Sequence, residues 1–455
     1  MSGAFPENFI WGVASSAYQI EGYSTADGGG ESIWDRFSHT PGKVAYGDNG
    51  DIACDSYHRY KEDIDLVKEC GAAVYRFSTS WARIDPKGDG CWNKAGLAYY
   101  DRVVDYCIEC GVIPYMTLYH WELPLALEDK GGWRSRETVD AFARYAGMMA
   151  GHFKGRVANY FTLNEPQCTV NMGHVSGLHA PGLKLDTAGE FSCWKHQLLA
   201  HGLALRAIKA ADPDAVVGIA STGQLCYPES ETAEDINAAR EASFITTEGW
   251  SFSHQWLLDP ICHGRFPATN DSSLAELVAA LTPEEMEIIH TVPDIIGYNI
   301  YNGHEVRAGK NGFEFMEKYP GFPRTALKWP VSPKVMDWGI RFLTERYPIP
   351  SFISENGLSC NDRIYADGKV HDIERIDFLN AYLSALSRAV DSGAKLIGYF
   401  HWSLTDNFEW HSGYGERFGL VYIDFPSGER IPKDSFYWYS DVVKTGKVDF
   451  YLPKI

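Results

Sequence analysis

Short apolar runs recur along the chain, each followed by a loop of polar and aromatic residues and then by a stretch with helical spacing. The runs cover 9–14, 73–78, 112–118, 158–163, 215–220, 294–299, 351–354 and 396–401. Their length and their β-branched and aromatic content predict buried strands. Between them, Ile64, Leu66, Val67 and Cys70 recur at helical spacing, as do Phe378, Leu379, Tyr382, Leu383 and Leu386. That spacing predicts amphipathic helices. Strands alternating with helices eight times over predict an α/β chain: a single (β/α)8 TIM barrel spanning 1–455, with elaborated βα loops. The rival architecture is a doubly wound open sheet, weakened because no G-x-G-x-x-G follows a strand.

The polar residues favour the barrel more firmly. Gln19 follows the first run, Arg76 lies in the second, and His120 and Trp121 follow the third. Asn164 and Glu165 end the fourth, Asn299 and Tyr301 the sixth, Glu355 the seventh and Trp402 the eighth. An open sheet gathers its functional residues at one switch point. A barrel brings the C-terminal ends of all its strands into one ring, where such residues share a pocket.

Composition narrows the partners. A hydrophobic content of 45% over 455 residues is enough for a large core. The net charge of -19, from 41 Lys and Arg against 60 Asp and Glu, argues against nucleic acid and anionic membrane surfaces. It suits a neutral small-molecule substrate. No apolar run of about 18 residues predicts a membrane span. The N-terminal residues Met1 to Glu7 have no basic region and no apolar core, so no signal peptide is expected. Ten cysteines are scattered; Cys107 and Cys110 form a C-x-x-C read as ordinary buried thiols, which points to a cytoplasmic location. The histidines form no H-E-x-x-H, and neither a metal nor a cofactor is expected. The oligomeric state is left open between a monomer and a homo-oligomer.

Two glutamates carry the chemistry. Glu165 stands in Leu163-Asn164-Glu165-Pro166 and Glu355, 190 positions later, in Ser354-Glu355-Asn356-Gly357. Each ends an apolar run and is followed at once by a strand breaker. Paired carboxylates at strand ends are the minimum equipment for cleaving a glycosidic bond. Burial and a neighbouring carboxylate keep one protonated, while arginine and hydrogen bonds keep the other ionised. Arg76, inside a strand, is the candidate to hold the second. Among 14 tryptophans, several sit beside polar residues, in His120-Trp121-Glu122, His401-Trp402 and Phe408-Glu409-Trp410. Flat aromatic walls edged with polar groups suit sugar rings, which have apolar faces and hydroxyl rims.

These blocks resemble glycoside hydrolase family 1, the β-glucosidase family. The resemblance rests on FIWGVASSAYQIEG at 9–22, YRFS at 75–78, LYHW at 118–121, TLNEP at 162–166, ISENG at 353–357 and FHWSLTDNFEW at 400–410, with RFGL at 417–420. It implies a (β/α)8 barrel and a retaining, exo-acting β-glucosidase. Such an enzyme releases terminal non-reducing β-D-glucosyl residues from short oligosaccharides or from aryl and alkyl glycosides, with no cofactor. In that pattern Glu165 is the acid/base and Glu355 the nucleophile, flanked by Arg76 and Tyr301. Gln19, His120, Trp121, Asn164, Trp402, Glu409 and Trp410 hold the non-reducing sugar, with Asn299, Trp329 and Phe418 as further substrate-binding candidates. Cys168, Val175, His179 and Trp329 are expected at the aglycone mouth.

The chain departs from the family pattern in places. Thr222 stands where an asparagine is usual, Tyr298 and Ile300 are exchanged in character, and Glu122 replaces an aspartate. A 6-phospho-β-glycosidase is the alternative within the family, disfavoured by Glu409, Gly415 and Glu416. A non-catalytic sugar-binding barrel is disfavoured by the presence of both carboxylates. The same side chains serve gluco-, galacto- and fuco-glycosides, so the sequence does not separate them.

Overall fold

A computed structural model describes residues 3–245, 249–310 and 312–449. Eight strands close a barrel: β1 (Ile10–Ala14), β2 (Val74–Ser78), β3 (Ile113–Tyr119), β4 (Asn159–Asn164), β5 (Val216–Ser221), β6 (Ile295–Asn299), β7 (Ser351–Asn356) and β8 (Leu396–Trp402). Neighbours pair in parallel and in chain order, and β8 closes on β1. All eight expected runs become these strands, their ends shifted by one or two residues.

Alternation along each strand divides the core in two. Inward side chains Val74, Tyr115, Phe161, Ala220, Ile295, Phe352 and Phe400 form one enclosed cluster. Its ring centroids lie 4.5 Å apart for the tilted pair Phe352–Phe400 and 5.4 Å for the edge-to-face pair Phe161–Phe352. The barrel floor is therefore a packed plug rather than a channel. Outward side chains pack on the helices. Ile64, Val67 and Cys70 are buried on Ser56–Cys70, where Leu66 is half-buried. Phe378, Leu379, Tyr382, Leu383 and Leu386 are all buried on Ile373–Asp391.

The elaborations follow the C-terminal ends of the strands. Cys226–Pro228, after β5, joins a small sheet with His304–Gly309 and Gly312–Phe315, after β6. A hairpin, Val421–Asp424 with Glu429–Pro432, follows β8.

Two strands break register near their ends. β4 shifts against β5 between Phe161 and Asn164, and β7 shifts against β6 between Ile353 and Glu355. Phe161 and Asn164 thus both face inwards although three residues apart, and so do Phe352 and Glu355. A bulge re-aims a side chain in this way. Here it turns the two glutamate-bearing segments into the barrel mouth.

The ten cysteines are free. Cys107 is buried, and burial pushes its thiol up to about 12. Cys110, expected to be buried, is half-buried at the helix C-terminus, its Sγ 3.8 Å from Asp65 Oδ1. It follows the last helical residue, Glu109, where the helix ends, and packs only partly against the core. Among the described residues, no helix is long and apolar enough to cross a membrane.

Candidate active site

A cavity of about 550 Å³ opens at the C-terminal ends of the strands. Glu165 reaches it from the end of β4 in a left-handed conformation, φ 47 and ψ 69. The residue before a proline is driven out of the right-handed helical region, and Pro166 starts a helix at once. Trp121 (φ 76) and Trp410 (φ 52), both on the cavity wall, share this sparsely populated conformation. Three cavity-lining residues thus hold a conformation that side chains seldom adopt.

The two glutamates have different surroundings. Arg76 Nη1 donates to Glu355 Oε1 at 2.6 Å, with the arginine 1% and the glutamate 4% exposed. Tyr301 Oη donates to Glu355 Oε2 at 2.8 Å. Burial raises the Glu355 carboxyl, and the Arg76 charge with these hydrogen bonds opposes the rise. Glu165 accepts from Asn299 Nδ2 at 2.7 Å. Burial first, and then the charge of Glu355, push Glu165 up to about 7, against hydrogen bonds from Cys168 and Asn299. Near neutral pH a shared proton therefore resides on Glu165, the partner without an arginine on its carboxylate.

Asn164 orders the next residues. Its Oδ1 accepts from Arg76 Nη2 at 2.6 Å and from Asn299 Nδ2 at 3.1 Å, so its amide nitrogen must face His120 Nε2, 3.1 Å away. His120 Nε2 is then the acceptor and Nδ1 carries the proton. That Nδ1 is buried and has no hydrogen-bond partner among the described residues. Burial and the Arg76 charge hold the ring well below the usual imidazole range, so it is neutral. Trp121 Nε1 donates to the Asn164 carbonyl at 2.9 Å.

Glu409 forms another wall. Burial, then the charges of Glu355, Glu416 and Glu165, push it up to about 8. Gln19 Nε2 lies behind it, donating to Asn407 Oδ1 and the Phe408 carbonyl at 2.9 Å, with Glu409 Oε2 at 3.4 Å. Aromatic rings complete the enclosure. Trp402 stacks on His120 at 5.6 Å, Trp410 meets Trp121 at 4.6 Å, and Trp329 packs on Tyr301 at 5.2 Å.

The fold brings the residues expected from the sequence together. Glu165, Glu355, His120, Trp121, Asn299 and Tyr301 line the cavity, as do Trp329, Trp402, Glu409, Trp410 and Phe418. Gln19, Asn164 and Arg76 are buried, in contact with the cavity residues Glu409, His120 and Glu355. Cys168 and His179 line the mouth, but Val175 does not. The π-helical turn Asn171–Val175 presents Met172 to the cavity and leaves Val175 on a neighbouring groove with Thr187 and Trp250. Leu178, Phe252 and His411 also line the mouth. No local pattern marks them: Leu178 and Phe252 lie in irregular loops, and His411 in a single 3-10 turn, Trp410–Ser412. Thr222 spends its hydroxyl on the Asn299 carbonyl at 3.0 Å, and Ile300 lines the wall while Tyr298 is buried beside His254. Among the described residues no cluster of three or more His, Cys, Asp or Glu could hold a metal.

Comparisons with known proteins agree with this geometry. The family described as Glycosyl hydrolase family 1 matches residues 1–448. Beta-glucosidase A of Thermotoga maritima is 42% identical over 98% of this chain and 99% of its own. An aryl-phospho-beta-D-glucosidase of Bacillus subtilis is 37% identical over 97% of this chain and 98% of its own. The family 1 β-glucosidase of Thermotoga maritima solved in complex with isofagomine lactam superimposes with a TM-score of 0.90, at 42% identity over 98% of this chain and 100% of that one. With a closed parallel barrel, paired buried glutamates at its mouth and a match running nearly end to end, the chain belongs to glycosyl hydrolase family 1.

Proposed function

We propose that the protein is a retaining β-glucosidase that removes terminal non-reducing β-D-glucosyl residues by two successive displacements. The observation that carries this reading is the unequal environment of the two glutamates. Glu355 is held by Arg76 and Tyr301, while Glu165 has no cation on its carboxyl and is pushed up to about 7. In the first step Glu165 protonates the departing glycosidic oxygen as Glu355 Oε attacks the anomeric carbon, forming a glycosyl ester. In the second, Glu165 takes a proton from water, whose oxygen displaces Glu355 from the opposite face. Two inversions give net retention.

The remaining residues hold the sugar. Asn164 has a second amide proton beyond the one aimed at His120, available for the sugar 2-hydroxyl, a contact that strengthens in the transition state. His120 Nδ1 offers an unused donor, and Glu409 with Gln19 face the O4 and O6 end. Trp402 and Trp410 supply flat walls for the ring.

The Bacillus relative named as a phospho-glucosidase makes a 6-phosphate substrate the competing reading. The cavity speaks against it. Among the described residues no lysine or arginine lines it to pair with a dianion beside Glu409 and Glu416. A phosphate dianion buried there without a paired cation is strongly penalised.

The test is a panel of aryl β-glycosides beside cellobiose and laminaribiose, with the anomer released from the aryl glucoside followed by NMR. Release of β-glucose first, lost in Glu355→Gln, supports the reading. Release of α-glucose, or preference for a 6-phosphate, overturns it.

A further inference from the structure

A buried ion network stands behind the Glu409 wall. Its centre is Asp406, fully buried in the loop after β8. Asp406 Oδ2 accepts from Arg417 Nη1 at 2.6 Å, and Oδ1 from the Gly419 amide at 3.0 Å. Those two partners flank Phe418, so one carboxylate grips the chain on both sides of a cavity-lining ring. Oδ1 also accepts from Lys433 Nζ at 2.7 Å, and that fully buried ammonium in turn bridges to Asp362 at 2.5 Å. Arg375 links Asp362 to the Arg417 carbonyl, each at 2.8 Å. Approach of the two segments is so close that a Cβ at Gly419 would lie 2.1 Å from the Asp406 nitrogen.

The same loop carries the sugar wall. Asn407, next in sequence, accepts from Gln19, whose amide also faces Glu409. Glu409 itself is three residues beyond Asp406. Phe418, held from the other side, packs on Tyr301 at 6.2 Å and on Trp329 at 6.1 Å. Two walls of the cavity therefore depend on one anion that touches neither the cavity nor its contents.

We infer that Asp406 is a positioning residue for the sugar site, setting Glu409 and Phe418 relative to each other through Arg417, Gly419 and Lys433. The inference rests on the reading of Glu409 as the group that meets the O4 and O6 hydroxyls. Residues within one hydrogen-bond network couple strongly enough for the effect to be read kinetically.

The experiment compares kcat/KM for an aryl β-glucoside with that for its 4-deoxy and 6-deoxy analogues in wild type, Asp406→Asn and Arg417→Met. The wild type should prefer the parent, and both variants should lose about tenfold of that preference. The variant Asp406→Asn combined with Glu409→Gln should be little worse in preference than Glu409→Gln alone. A merely structural role lowers all substrates in parallel with the folded fraction, leaves the ratio unchanged, and would overturn the inference. Should Asp406→Asn fail to fold, Arg417→Met decides, since that arginine side chain is 16% exposed and its loss leaves Lys433 on Asp406. A wild type indifferent to the deoxy change would instead overturn the reading of Glu409, and this inference with it.

Discussion

The Asn299 amide donates to Glu165 Oε1 at 2.7 Å, while its own Oδ1 accepts from Ser354, the residue before Glu355, at 2.5 Å. One side chain at the end of β6 thus fixes the carboxyl beyond β4 against the strand that bears the other. Its hydrogen bond favours ionised Glu165, so removing it raises the pKa of that group. In Asn299→Ala the alkaline limb of the kcat/KM profile, which reports loss of the Glu165 proton, should move to higher pH. A limb that stays or falls would contradict the account.

Glu165→Gln keeps the shape of the side chain but supplies no proton. Activity on alkyl glucosides should fall by about 10²–10⁴, the usual worth of general acid catalysis. A dinitrophenyl leaving group needs no protonation and should retain glycosylation. Equal losses on both substrates would argue against the acid role.

Arg76→Met removes the charge that opposes burial at Glu355. The Glu355 pKa should rise, moving the acid limb of the profile to higher pH. Breaking a buried pair also costs about 3–5 kcal/mol of stability. Denaturant unfolding beside the pH profile checks both effects, and an acid limb that does not move sinks the assigned pairing.

Glu409→Ser should depress turnover of aryl glucosides yet ease the 6-phosphates only slightly, because Gly415 and Glu416 supply no cation at that end. The measurement is kcat/KM for both forms of one aryl glucoside. A large gain on the phosphorylated form would show that charge at Glu409 alone decides the substrate.

The strands were legible because each is a compact apolar run, and the two glutamates because each lies between such a run and a breaker. Arg76 could be assigned to a carboxylate because a charged residue inside an apolar strand needs a buried partner. Other features depend on pairs far apart in the chain. Asp406 meets Lys433 across 27 positions and Asn407 meets Gln19 across 388, and periodicity carries no signal for either. The register shifts that aim Asn164 and Glu355 are equally silent, since a bulge is defined by the neighbouring strand. Val175 falls outside the mouth because the chain makes a π turn over Asn171–Val175, which no sequence pattern signals.

The account stands or falls on Glu355 as the residue that becomes glycosylated. A 2-deoxy-2-fluoro-β-glucoside with a good leaving group slows the second displacement and traps the ester. Mass spectrometry of the digested, inactivated protein should find one fluoroglucosyl group per chain, on the peptide containing Ser354-Glu355-Asn356. Turnover should return as the adduct is released. Labelling of Glu165, of Glu409 or of any residue other than Glu355 would contradict the mechanism at its centre.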